Sequence, residues 1–232
     1  MNKHFFFLFS LFACYNSIAQ SDAIGAFNRF VVHNWAGQYV RIGSYKVKGS
    51  PFLLGESFPG KIRLLGSNVS QPAKVLYDLY EQKAGPGTGD QILVTDQLVE
   101  EFTIELPEKF GGVPLTFKYC GMYSKPKLNC YFNVLTEGLA VSFLKVYRIR
   151  VVPDPANLMD KDLKVFEQYY EYFLINKKGN GELEQVKLKK KDFENELSSL
   201  DGAQAIFKSN QFQYETEDDY IKIVKAINNA AK

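Results

Sequence analysis

Few side chains in this chain are of a kind that does chemistry, and their spacing says more than their number. Three cysteines, Cys14, Cys120 and Cys130, and two histidines, His4 and His33, occur in 232 residues. Cys120 and Cys130 flank a segment containing Lys125-Pro126, and a proline there presets φ for a tight reversal. A hairpin symmetric about Lys125 sets Cys120 directly opposite Cys130 and Tyr119 opposite Tyr131. Opposed cross-strand residues hold their Cβ atoms roughly 4.5–5.5 Å apart. That is slightly wider than a disulfide prefers, so a small pinch of the strands would close a Cys120–Cys130 bond. The competing reading is two small buried thiols. A zinc site lacks ligands, because two cysteines and almost no histidine cannot fill four positions.

The remaining chemistry is thinner. Once a leader is removed, His33 is the one histidine left, so a serine triad would have a single base and no G-x-S-x-G elbow to serve. Glu100, Glu101 and Glu105 on one strand could supply a glycosidase pair, although surface charge explains them more simply. Gly85-Pro86-Gly87-Thr88-Gly89-Asp90 resembles a phosphate loop only in its glycines. It lacks the following lysine and helix, and Asp90 would repel phosphate, so it reads as a hairpin loop. Asp154, Asn157, Asp160 and Asp162 do not have EF-hand spacing and read as a polar linker. Lys187, Lys189, Lys190 and Lys191 read as a solvated junction between a strand and a helix. No catalytic, cofactor-binding or metal-binding residue is assigned, and no cofactor is expected.

The element that must position the cysteines is a meander from Val113 to Val152. Its three segments are rich in β-branched and aromatic residues and separated by turn formers. Thr136-Glu137-Gly138 suits a short hairpin with Gly138 at positive φ. In the third segment Leu139, Val141, Phe143, Tyr147, Ile149 and Val151 share one face, with Ser142, Arg148 and Arg150 on the other. That pattern describes a sheet covered on one side and wetter on its back. Pro153 and Pro155 end it.

Upstream, Ser21 to Trp35 carries Phe27, Phe30, Val31 and Trp35 at helical spacing, which predicts a short amphipathic segment. Strands follow at 38–47, 61–65, 73–80, 91–95 and 99–106, with Phe58-Pro59-Gly60 as a turn. Strands this short and frequent fit a small sandwich, a barrel or a curled sheet. Downstream, 165–176 and 182–188 form a hairpin around Lys177-Lys178-Gly179-Asn180-Gly181. Phe193, Leu197 and Leu200 then share a helix face. Thr216 and Asp219 imitate a capping box, opening a helix whose buried stripe is Tyr220, Ile223, Val224 and Ile227. The fold class is α+β. Its expected parts are a β-rich domain over 20–153, a polar linker over 154–162, and a hairpin with helices over 163–232 packed on the β body.

Residues 1–19 read as a signal peptide, with a basic start, an apolar core from Phe5 to Ala13, and Ser17-Ile18-Ala19 before the cut. A second reading takes Leu11-Phe12-Ala13-Cys14 as a lipoprotein site, leaving Cys14 acylated. Either way the chain is exported, to the periplasm or outside, and an even pair of cysteines remains. No further stretch approaches the roughly 20 apolar residues of a spanning helix. A net charge of +2 argues by composition against a polyanion partner, since a nucleic-acid binder usually shows a basic face. Apolar residues at 46% and aromatic ones at 15% support a substantial core.

Four stretches carry a resemblance: GSPFLLGESFPGKIRL (Gly49–Leu64), LVEEFTIEL (Leu98–Leu106), YYEYFLINKKGNGELEQVKLKKKDFENEL (Tyr169–Leu197) and DDYIKIVKAIN (Asp218–Asn228). In these the chain resembles a group of exported proteins of Bacteroidota to which no activity is attached. The resemblance implies a cell-envelope protein of a Gram-negative bacterium. It carries over no site residues, and the cysteine pair is not part of it. The expected function is non-catalytic binding of another envelope protein or a surface polymer. Trp35, Tyr119, Tyr123 and Tyr131 are candidate contact aromatics, or else core. The alternatives are a small-ligand carrier with a β pocket and an envelope-polymer hydrolase.

Overall fold

The computed structural model describes residues 29–34, 37–42, 44–88, 91–93, 97–123, 129–157, 159–179, 181–209 and 212–231. The fold is α+β, a mixed sheet that does not close on itself, with helices at the C-terminal end. The first strands are β1 (Arg29–Asn34), β2 (Gly37–Ile42), β3 (Tyr45–Lys48), β4 (Phe58–Leu64), β5 (Ser70–Asp78), β6 (Lys83–Thr88) and β7 (Gln91–Ile92). Then come β8 (Val99–Ile104), β9 (Leu115–Tyr119), β10 (Tyr131–Thr136), β11 (Val141–Pro153), β12 (Leu163–Asn176) and β13 (Leu183–Val186). The helices are α1 (Lys190–Leu197), α2 (Ala203–Ser209) and α3 (Glu217–Ala230).

The chain divides into two compact units, one of residues 1–50 with 151–166, the other of 51–150 with 167–232. In the first, β1, β2 and β3 form an antiparallel meander, and β3 runs parallel to the start of β12, Lys46 beside Leu163. The expected helical stripe over Ser21–Trp35 is corrected at Arg29–Asn34, which is a strand, and residues 21–28 lie outside the described residues. Phe30, Val31 and Val32 are a β-favouring run, and β2 supplies a ladder partner for each. Trp35 lies outside the described residues. The polar segment 154–162 connects β11 to β12 within this unit. The Asp154 N–H donates to the Leu163 carbonyl at 3.3 Å, and its carboxylate accepts from the Ala156 N–H at 2.9 Å. The aspartates thus form turns, as short polar side chains do.

In the second unit the spatial order is β12-β11-β10-β9-β8-β4-β5-β6-β7, with β13 also on β12. Two expected turns are strands instead. Phe58-Pro59-Gly60 lies within β4, and a Cβ at Gly60 would sit 1.9 Å from the Thr103 carbonyl oxygen of β8. The glycine is therefore there for close approach between strands, not for reversal. Similarly, of the hairpin loop expected over Gly85–Asp90, Gly85 to Thr88 belong to β6, while Gly89 and Asp90 lie outside the described residues. A Cβ at Gly85 would meet the Ile92 side chain at 2.7 Å, and one at Gly87 the Leu76 Cβ at 2.8 Å.

Three apolar clusters hold this unit together. Rings and aliphatic groups from β4, β5, β8, β9 and β10 form the first, centred on Tyr77, Phe102, Phe117 and Tyr131. Phe102 and Phe117 stack at 4.7 Å between centroids, and Tyr77 meets both edge-on at 5.3 Å. The second joins Val141, Phe143 and Leu174 to α1 and α3 through Phe193, Leu197, Tyr220, Ile223, Val224 and Ile227, the stripes expected from helical spacing. The third contains Cys120, Cys130, Phe132, Leu144, Val146, Phe173 and Ile175. Because of that third cluster, β11 is buried on both faces from Val141 to Val146 and becomes half-exposed only from Tyr147 onward. The expectation of a wetter back face therefore holds for its second half alone.

α3 is anchored at both ends. The Asp219 carboxylate accepts from the Thr216 N–H at 3.0 Å and the Glu215 N–H at 3.2 Å, so the capping residues anticipated from sequence do meet. Near its C-terminus, Asn228 reaches the start of β11. Its Oδ1 accepts from the N–H groups of Ala140 and Val141, each at 3.0 Å, and its Nδ2 donates to the Val141 carbonyl at 2.8 Å. The side-chain amide thus stands in for a neighbouring strand. Gly138 does not take a positive φ, contrary to expectation. It is small because a Cβ there would lie 2.1 Å from Asn228 Cγ.

Candidate functional site

The β9–β10 ladder has the register read from the sequence, with Tyr119 paired to Tyr131, while the expected Lys125-Pro126 turn lies outside the described residues. One step further out, the Cys120 N–H donates to the Cys130 carbonyl at 3.0 Å. The return bond is different. The Cys120 carbonyl accepts from the Tyr123 N–H at 3.0 Å, closing a 3-10 turn over Cys120–Met122. The Cys130 N–H, left without that carbonyl, donates to Cys120 Sγ at 3.2 Å. Both cysteines are fully buried and lie in one apolar cluster with Phe132. They are thiols in this structure, with no disulfide between them.

The two sulfurs are not equivalent. Cys120 accepts from the Cys130 thiol and from backbone N–H groups at the head of the turn, and this pulls its pKa below the ordinary thiol value. Cys130, the donor of that bond and itself buried, is pushed the opposite way.

A second constellation lies on β11, β12 and α3. Lys145 is only 8% exposed and donates to Glu217 Oε2 at 2.7 Å. The Tyr172 hydroxyl donates to the same oxygen at 2.7 Å. The Lys145 ammonium lies 4.1 Å from the Tyr170 ring centroid, 4.9 Å from that of Tyr147 and 5.7 Å from that of Tyr172. This is an aromatic cage filled by the protein's own cation. Burial and the bond to Glu217 raise the Tyr172 phenol well above its usual range, and burial does the same for Tyr147. Beside Lys145 in the ladder, Asn133 is buried and donates from Nδ2 to the Thr116 carbonyl at 3.1 Å. The sequence reading passed over this cluster, although it had a signal. Lys145 is the charged residue in an apolar alternation of Val141, Phe143, Tyr147 and Ile149, and such an intruder needs a partner.

Compared with protein-family models, with curated proteins and with solved structures, the chain finds no match in any of the three.

The other residues singled out from the sequence fall as follows. Tyr131 is core, its hydroxyl donating to the Val99 carbonyl at 3.0 Å. Tyr119 is half-buried against Tyr131, and Tyr123 packs edge-on against Phe132. Glu100 and Glu101 both bind the Arg63 guanidinium, Glu101 at 3.0 Å, which ties β8 to β4. Lys187, Lys189, Lys190 and Lys191 are all exposed around the β13–α1 junction. Cys14 lies outside the described residues. Among the described residues, no group of three or more histidine, cysteine or acidic side chains could hold a metal ion, and no helix is long and apolar enough to cross a membrane.

Proposed function

We propose that this chain is an exported cell-envelope protein with a non-catalytic binding role. It meets another envelope protein or a surface polymer through the outer parts of β11 and β12. The observation that carries this reading is a set of tyrosines standing among internally paired charges. Tyr169 and Tyr170, successive on β12 and so on opposite faces, are 39% and 47% exposed. Tyr170 packs edge-on against Tyr147, while the Arg150 guanidinium lies 5.7 Å from the Tyr169 ring centroid. Arg148 pairs with Glu171 and Arg150 with Glu167 across the same two strands. Tyrosine offers a large, stiff, amphipathic contact at small entropic cost, and tyrosine and arginine dominate binding energetics at interfaces.

The other two readings meet obstacles. Carriage of a small ligand in a β pocket would need the ring cluster of Tyr77, Phe102, Phe117 and Tyr131 to part. A hydrolase built on Glu100 and Glu101 would need both carboxylates to leave Arg63. Export rests on the leader, with Gln20 or an acylated Cys14 as the first residue.

The test is cross-linking in the native cell envelope followed by purification. Wild type should recover a partner that Tyr169→Ala/Tyr170→Ala, with an unchanged circular dichroism spectrum, does not. Equal recovery by both, or none above background from wild type, would overturn the reading. Intact masses from soluble and membrane fractions separate the two first residues.

A further inference from the structure

The cysteine pair has a geometry that goes beyond two small residues filling a core, and it stands apart from the binding role argued above. In an antiparallel ladder the residues of a hydrogen-bonded pair exchange two N–H···O bonds, and the Cys120 N–H on the Cys130 carbonyl marks this as such a pair. Here one of the two has been replaced. The chain turns into the 3-10 segment at Cys120, so its carbonyl is taken by Tyr123, and the Cys130 N–H finds the Cys120 sulfur instead. Both side chains emerge on the face that carries Phe132, so the register brings sulfur towards sulfur. A thiol needs no such surroundings, whereas an N–H donor aimed at a sulfur favours its anion.

We propose that Cys120 and Cys130 are a thiol–disulfide exchange site, with Cys120 as the attacking sulfur and Cys130 as the resolving one. The co-reactant is a disulfide carried by another molecule. The Cys120 thiolate attacks one sulfur of that disulfide, its S–S bond breaks, and the leaving sulfur departs as a thiolate. A mixed disulfide on Cys120 results. Cys130 then gives up its proton to water and attacks Cys120 Sγ, expelling the second thiolate of the co-reactant. Cys120 and Cys130 are oxidised by two electrons to a disulfide, and the co-reactant is reduced to two thiols.

The order of events follows from the surroundings. The lowered thiol pKa of Cys120 and the raised one of Cys130 agree with attack by the first and delay by the second. Both residues are fully buried, so attack waits on local opening of the Cys120–Tyr123 turn, at which Tyr123 packs edge-on against Phe132. Once closed, the bond is sheltered from reductant by the same packing.

The experiment uses the full chain carrying Cys14→Ser, reduced and then exposed to glutathione disulfide, with acid quenching and intact-mass measurement. The otherwise unaltered chain should become lighter by two hydrogens without accumulating an adduct. Cys130→Ser should accumulate one glutathione on Cys120, about tenfold or more faster than Cys120→Ser gains one on Cys130. Equal rates in the two variants, or failure of the parent to close, would overturn the assignment. Should either serine variant fail to fold, limiting alkylation of the parent followed by peptide mapping gives the same answer. Labelling of Cys120 ahead of Cys130 supports the roles, and the reverse order refutes them.

Discussion

Asn228→Ala removes a side chain that behaves as a missing strand, and the cost can be worked from the three bonds it makes. Truncation strands two N–H donors, those of Ala140 and Val141, and takes the Nδ2 donor away from the Val141 carbonyl. Ala140 and Val141 are 1% and 0% exposed, so water does not reach these groups without rearrangement. A buried donor left unpaired costs about 1–3 kcal/mol. Two of them, with partial rescue by a water entering the vacated space, give about 2–5 kcal/mol. Against a whole-domain stability of about 5–15 kcal/mol this is a large fraction.

Gly138→Ala attacks the same contact from the other side, placing a Cβ 2.1 Å from Asn228 Cγ, and overpacking of that kind costs about 1–3 kcal/mol. Combining the two substitutions supplies the decisive test, because the clash needs Asn228 to be present. The double variant should be less destabilised than the sum of the singles by about 1 kcal/mol or more. Urea unfolding followed by far-ultraviolet circular dichroism, with an unchanged m-value, measures all four corners of the cycle. A loss below about 0.5 kcal/mol for Asn228→Ala, or strict additivity, would refute the account of the Asn228–β11 contact.

Two further predictions concern charge. Lys145→Met keeps the apolar stem but removes the ammonium from Glu217 and the three tyrosine rings. Because Glu217 remains about one-third exposed and can rehydrate, we expect a loss of only about 1–2 kcal/mol in the urea midpoint experiment. An unchanged midpoint would mean that the cage contributes nothing. Glu137 is held below the usual carboxylate value by Lys118 and Lys177, and Asp219 by the N–H and hydroxyl of Thr216. Folded pKa values below unfolded ones give stability that is complete above the usual carboxylate range, roughly pH 4. It is lost as pH falls through the depressed values. The urea midpoint should decline below about pH 4, less steeply in Glu137→Gln, and parallel curves for the two proteins would show that Glu137 plays no part.

How much of this was legible in the sequence depended on whether the signal was local. The hairpin that opposes Tyr119 to Tyr131 was, because the residues on each side of Lys125 count off symmetrically. So were the stripes of α1 and α3, since helical spacing alone decides which residues share a face. Gly60 was misread because glycine after proline looks the same whether it reverses the chain or makes room for another strand. Only the nearness of Thr103, 43 positions on, tells them apart. The same holds for Phe30 to Val32, where helical spacing was weighed without the β2 partner that makes a strand of them. Lys145 was visible as an intruder in its alternation, but Glu217 and Tyr172 lie on other elements and have no sequence relation to it. Asn228 carried no signal at all.

The ring cluster of the β body has an optical consequence. The Tyr77 hydroxyl donates to Gln82 Oε1 at 2.8 Å and that of Tyr131 to the Val99 carbonyl at 3.0 Å, both among other rings. Ionisation would delete the donated hydrogen and set a charge against Phe102 and Phe117, so burial holds both phenols neutral well above their usual range. Phenolate absorbs at longer wavelength than phenol. On an alkaline titration, the absorbance of these two residues should stay silent until the sheet itself comes apart, then appear in a single step with hysteresis on return. Stability contributed by their neutral forms is complete below the unfolded phenol value and declines above it. The colour change of two tyrosines thereby becomes a report on the integrity of the whole β body, read without any added label.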